Sequence, residues 1–154
     1  MRAIVSLAIL LLVSGVARGQ SNKDPDLTLK WMEGEMSKDA SIWTTKITVT
    51  GTSLHYSRRY SGRNDGMPGT KPTDVDGVVK DPAKLAAAIA AFDKAPVAPP
   101  PKNPDSSGAY SSGCMARGKA ERCATHRGTE PETEELKALA AIEAVLLEGV
   151  KLPP

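Results

Sequence analysis

Ile42-Trp43-Thr44-Thr45-Lys46-Ile47-Thr48-Val49-Thr50-Gly51-Thr52-Ser53-Leu54-His55-Tyr56-Ser57-Arg58-Arg59-Tyr60 holds three of the chain's six aromatic residues and decides the fold. Trp43, Thr45, Ile47 and Val49 alternate with Ile42, Thr44, Lys46 and Thr48. Leu54, Tyr56 and Tyr60 alternate with Ser53, His55, Ser57 and Arg59. Period-two patterning rich in β-branched and aromatic residues, broken at Thr50-Gly51-Thr52, predicts two strands and a tight turn. Such a hairpin has one apolar face and one polar face. The apolar face needs a cover, and two amphipathic helices further along the chain supply it.

Working toward the N-terminus, Leu27, Leu29 and Trp31 alternate with Thr28, Lys30 and Met32, so Leu27–Met32 reads as a first strand. Glu33–Ala40 reads as an acidic connector, and residues 20–26 as a disordered leader. Before them, Arg2 precedes the apolar run Ala3–Val13, which ends in the small residues around Ala17 and Gly19. This is the pattern of a secretory signal peptide over residues 1–19, too short to span a bilayer comfortably. The expectation is export to the periplasm or the extracellular space, with no stable membrane insertion after cleavage.

Removal of residues 1–19 takes away Arg2 and Arg18 and no acid. The 20 basic residues become 18, equal to the 18 acidic ones, so the +2 of the whole chain disappears. A neutral mature chain argues against nucleic acid as a partner, because phosphate binding needs a positive face.

Toward the C-terminus, residues 61–73 are rich in Gly, Pro and Asn and read as a loop. Val75–Val79 reads as a short strand. Asp81-Pro82 opens a helix, with Asp81 as cap and Leu85, Ile89 and Phe92 as its apolar stripe. Residues 96–104 contain five prolines and read as an extended connector. Tyr110–His126 reads as a second hairpin. Thr129 and Glu132 have capping-box spacing before a last helix with the stripe Leu136, Leu139, Ile142 and Leu146, and Gly149 as its stop.

Cys114 and Cys123 are nine residues apart. In an exported chain this predicts a disulfide. A two-residue turn at Gly118-Lys119 sets the register: Met115 faces Arg122, and Cys114 faces Cys123. If that last pair is non-hydrogen-bonded, its Cα atoms lie about 4.5 Å apart, within bridging range. The spacing is not that of a redox Cys-x-x-Cys pair. A zinc site would need both His55 and His126 as further ligands, so no metal and no cofactor is expected.

His55 and His126 are the available bases for a hydrolase, which needs a nucleophile beside a base held by an acid. No nucleophile elbow, His-Glu-x-x-His or phosphate-binding loop is present. Asp74-Val75-Asp76-Gly77 lacks the later ligands of a calcium loop and reads as turn chemistry. Arg58, Arg59 and Arg63 on the first hairpin, and Arg117, Lys119, Arg122 and Arg127 on the second, form a candidate basic patch for an acidic surface.

The order of Trp31 and Trp43 strands, the Asp81-Pro82 helix and the Pro131–Leu139 helix resembles small bacterial exported domains of uncharacterised function. It is also similar to emfourin-type metalloprotease inhibitors. That resemblance implies a protease as partner. The proline connector and the cysteine hairpin depart from it, so no inhibitory residue is carried over.

These readings give one α+β domain over residues 27–154: an antiparallel sheet of four to six strands, two helices on one face and one hairpin disulfide. The expected function is a non-enzymatic exported binding module for an envelope or extracellular protein, as an inhibitor or envelope accessory. The alternatives are a secreted hydrolase using His55 or His126 and a purely structural envelope protein.

Overall fold

The alternating stretch forms two long strands at the heart of a mixed-layer domain. In the computed structural model, which describes residues 25–36, 41–63, 69–99, 108–128 and 131–153, the elements run β1 (Leu27–Met36), β2 (Ser41–Thr50), β3 (Ser53–Ser61), β4 (Thr73–Val78), α1 (Pro82–Lys94), β5 (Gly108–Arg117), β6 (Ala120–Arg127) and α2 (Glu134–Leu147). The strands make one six-stranded sheet in the order β4-β3-β2-β1-β5-β6, antiparallel throughout. The predicted signal segment, residues 37–40 and 64–68 of the two expected loops, residues 100–104 of the connector, and Thr129 lie outside the described residues.

One face of the sheet is apolar. Leu27, Leu29, Trp31, Ile47, Val49, Leu54, Tyr56, Met115 and Ala124 are buried there, against Leu85 and Phe92 of α1 and Leu136, Leu139, Ile142, Val145 and Leu146 of α2. Each fully buried aliphatic or Phe side chain contributes roughly 1.5–3 kcal/mol relative to exposure. Both helices therefore share one side, as the alternation requires.

Four local readings need correction. β1 continues through Glu33 to Met36 instead of ending at Met32. It is a central strand, paired on one edge with β2 and on the other with β5, and double pairing outweighs the charge of Glu33 and Glu35. The first hairpin turn has two residues, Gly51 and Thr52, because Thr50 already pairs with Ser53. Asp26, assigned to the leader, is fastened: its amide donates to Val49 O at 2.8 Å and its carboxylate accepts from the Gly51 amide at 2.7 Å.

The fourth correction concerns α2. It begins at Glu134 with Thr133 as cap, whose hydroxyl accepts from the Leu136 amide. Pro131 and Glu132 are exposed and bury nothing against the core, so the helix starts just before Glu135 and Leu136, the first residues it buries. α1 matches expectation, with the Asp81 carboxylate accepting from the Lys84 amide at 2.8 Å and Pro82 in the first turn.

Two of the close approaches that depend on glycine shape the core and its edge. A Cβ on Gly113 would stand 2.5 Å from the Trp31 ring and 3.1 Å from Leu139. Gly113 pairs with Trp31 across β1 and β5, so its missing side chain is the space the indole fills. At the end of α2, a Cβ on Gly149 would lie within 2 Å of the Val78 carbonyl oxygen. Here the helix end meets the backbone of β4, and the Val78 amide donates to Gly149 O at 3.3 Å.

The pair of half-buried Arg122 and buried Glu135 ties the layers together. Arg122 Nε meets Glu135 Oε1 at 2.5 Å, while its other nitrogens donate to Phe92 O at 3.0 Å and Ala95 O at 2.7 Å. Those carbonyls belong to the last turn of α1, which leaves acceptors unfilled at its end. The guanidinium also lies 4.6 Å from the Phe92 ring centre. Glu135 Oε2 accepts from the Ala98 amide of the proline connector at 3.1 Å. One ion pair thus joins β6, α1, α2 and the connector.

The Cys114–Cys123 disulfide is present, with Cα atoms 4.0 Å apart on directly paired residues. It closes a short loop on the face away from the helices. Reduction, or paired Cys→Ser substitution, is expected to lower stability by about 2 kcal/mol. Thermal melts with and without reductant measure this.

Candidate functional site

Strand register assigns every polar strand residue to a face, and the two faces differ in kind. On the helix side, β6-to-β3 register lines up His126, Ser111, Glu33, Trp43 and Tyr60 in one row. Trp43 and Tyr60 pack edge to face with ring centres 5.1 Å apart. Arg58, one row nearer the core, lies 4.4 Å from the Trp43 ring centre and donates to Glu33 at 2.8 Å.

This row places a hydroxyl between an acid and an imidazole. Nucleophile activation needs the imidazole in the middle, held from behind by the acid. Glu33 stands on the side of Ser111 away from His126 and is bonded to Arg58. The arrangement therefore positions aromatic and ion-pair contacts, with Glu33 engaged by Arg58.

Glu143 on α2 faces the same corner. Burial raises its carboxyl above the ordinary value, the charge of Glu33 raises it further, and Arg58 opposes both. Its ionisation is thus harder in the folded chain than in the unfolded one. The resulting penalty is full at neutral pH and vanishes below the carboxylate range, where both states are protonated. Glu143→Gln is expected to raise the melting temperature at about pH 7 and to leave it unchanged near pH 3.

The opposite face carries no helix among the described residues. Its outward side chains form three successive rows. One runs Glu121, Ala116, Thr28, Thr48, His55, Asp76. The next runs Cys123, Cys114, Lys30, Lys46, Ser57, Asp74. The third runs Thr125, Ser112, Met32, Thr44, Arg59. Lys30 and Lys46 stand directly opposite each other at the centre, flanked by hydroxyls of Thr28, Thr48, Thr44 and Ser57.

On the β4 side, His55 Nδ1 lies 2.8 Å from Asp76 Oδ1, and Nε2 lies 3.7 Å from Asp74. Arg59 binds both oxygens of Asp74, at 2.7 and 2.9 Å. A shallow cleft of about 270 Å³ beside them is lined by Thr48, Thr50, Ser53 and His55, with Asp76 and Gly77. It is open to solvent, and both ring nitrogens of His55 face carboxylates.

No protein-family model, curated protein or solved structure matches this chain.

The likeness to emfourin-type inhibitors accordingly rests on element order alone. The residues of the expected basic patch are dispersed. Arg58, Arg117 and Arg122 lie on the helix side, held by Glu33, Asp93 and Glu135. Arg59 and Arg127 lie on the open side, Arg59 on Asp74 and Arg127 with its guanidinium 5.5 Å from the Tyr110 ring centre. Arg63 follows β3, and Lys119 sits in the β5–β6 turn. β3 and β6 are four strand spacings apart, about 19 Å, so the two groups do not meet.

Lys30 and Lys46 were not singled out by sequence. Their signal was available: each lies between two residues of an alternating apolar set, so each points away from the core. What sequence lacked was the register that sets them side by side.

His55 and His126 occupy opposite faces, so they do not form one site. Among the described residues the one further group of metal-type ligands is Cys114, Glu121 and Cys123, and its sulfurs are joined in the disulfide. No helix among the described residues is long and apolar enough to cross a membrane.

Proposed function

We propose that this chain is an exported, non-enzymatic binding module that meets an envelope or extracellular protein through its uncovered sheet face. One observation carries this reading. Both helices cover the same side of the sheet, and among the described residues the other side presents Thr28, Lys30, Lys46, Thr48 and Ser57 on paired strands. Such a face is preorganised for contact, since its backbone is fixed before a partner arrives. Inhibition of a protease and service as an envelope accessory both use this kind of surface.

The test is affinity capture by the oxidised protein from envelope and culture fluid, run beside a Thr28→Arg/Thr48→Arg variant that crowds the face. A stoichiometric partner held by the parent and lost from the folded variant supports the proposal. A partner that both retain places binding elsewhere. A hydrolytic activity that disappears on His55→Ala or His126→Ala, in a variant that still folds, overturns it in favour of an enzyme.

A further inference from the structure

Resting on that reading of the open face, we infer that Lys30 and Lys46 together receive a compact carboxylate cluster on the surface of a partner protein. The observation is an unfavourable like-charge pairing in the strand register. Like charges directly opposite on neighbouring strands are destabilising. Four strand arginines meet carboxylates: Arg58 with Glu33, Arg59 with Asp74, Arg117 with Asp93, Arg122 with Glu135. Lys30 and Lys46 are paired through register, exposed, and without an ion-pair partner among the described residues.

Their setting suits a shared anion. Directly opposed Cα atoms lie roughly 4.5–5.5 Å apart, so two flexible stems converge on one group. Each ammonium brings three donors. Thr28 and Thr48 form the neighbouring opposed pair, and Thr44 and Ser57 adjoin Lys46, adding hydroxyls that accept or donate.

The margins select the kind of anion. Asp74 and Asp76 stand on β4, and Glu121 on β6, all on this same face. Each edge is two strand spacings from the nearer lysine, about 10 Å, which is close to the screening length at 0.1 M salt. Arg59 binds Asp74, His55 meets Asp76, and Arg127 shares the outward face of β6 with Glu121, so cations and carboxylates mix at the margins and the uncompensated charge is the central lysine pair. A broad polyanion such as a lipid surface covers centre and margins together, where Asp74, Asp76 and Glu121 offset Arg59 and Arg127 and leave it little net attraction beyond the lysine pair. A compact acidic projection from a protein meets only the centre.

The experiment uses the oxidised, isotope-labelled protein with a hexaglutamate peptide as probe, and phosphatidylglycerol vesicles as the competing class. The parent protein is expected to show peptide-dependent shifts centred on Lys30, Lys46, Thr28 and Thr48, weakening as salt rises. Lys46→Glu is expected to weaken peptide binding at least about tenfold, while its melting temperature rises, because the repulsive pair becomes an attractive one. Lys151→Glu, near the C-terminus, changes neither. The opposite signs for binding and stability separate a functional pair from a damaged fold.

Shifts centred elsewhere, unchanged affinity in Lys46→Glu, or vesicle binding through the lysines without peptide binding overturns the inference. A partner captured equally by the parent and by Lys46→Glu also overturns it, and leaves the binding-module reading intact.

Discussion

Arg122→Ala is expected to destabilise the domain by about 3 kcal/mol, the lower end for removing one member of a buried ion pair, because Glu135 is buried while Arg122 is partly exposed. Glu135 is only 1% exposed, and without Arg122 it keeps a single donor, the Ala98 amide. The Ala95 carbonyl loses its donor at the same time, the Phe92 carbonyl keeps only the Ala95 amide, and the Phe92 ring loses the guanidinium beside it. Denaturant unfolding read by Trp fluorescence measures the change. The double variant Arg122→Met/Glu135→Leu is expected to recover much of the loss, since an apolar pair of similar volume carries no stranded charge. A loss in the double variant equal to that in Arg122→Ala would show that the α1 carbonyl contacts, and not the ion pair, hold the layers together.

Gly113→Val is expected to cost about 3 kcal/mol, at the upper end for overpacking a core. The new side chain starts at a Cβ position 2.5 Å from the Trp31 ring and 3.1 Å from Leu139. Trp31 is buried in a central strand, so the indole cannot move aside without disturbing α2. Pairing the substitution with Trp31→Leu is expected to restore part of the stability, because the smaller side chain vacates the space. The interaction term of that double-mutant cycle is the diagnostic quantity, and additive costs would mean that the ring and the glycine are not coupled.

The hairpins and helices were legible in the sequence because each is specified locally. Cys114 and Cys123 fall opposite once the turn at Gly118-Lys119 is assumed, and the structure pairs them. Asp81-Pro82 announces α1 by capping chemistry alone. The position of β1 was not legible, because nothing local in Leu27–Met36 states that β5 will join its second edge. Without that edge, Glu33 and Glu35 look like loop residues.

The arginines show a different kind of gap. Register already placed Arg122 opposite Met115, and alternation placed Arg58 in step with Leu54 and Tyr56. Both were on the apolar face by pattern, but charge alone grouped them with exposed residues. Their partners, Glu135 and Glu33, come from distant elements that no short window contains. The same limit hid the Lys30–Lys46 contact, which exists only through cross-strand register.

The strand order has a consequence for how the chain is assembled. β1 to β4 and α1 are contiguous in sequence, and so are β5 and β6, whereas the β1–β5 seam joins segments separated by most of the domain. Loop closure of that span is entropically costly, so the seam is the slow junction of the molecule. Until it forms, a strand of the finished sheet's interior presents a free edge of the kind that templates unwanted pairing. At high concentration the β5–β6 hairpin of one copy can complete the β1 edge of another, because each half carries its own local pairings. Refolding yield that falls with protein concentration, accompanied by an exchanged dimer, is the signature to expect from a sheet whose middle is made last.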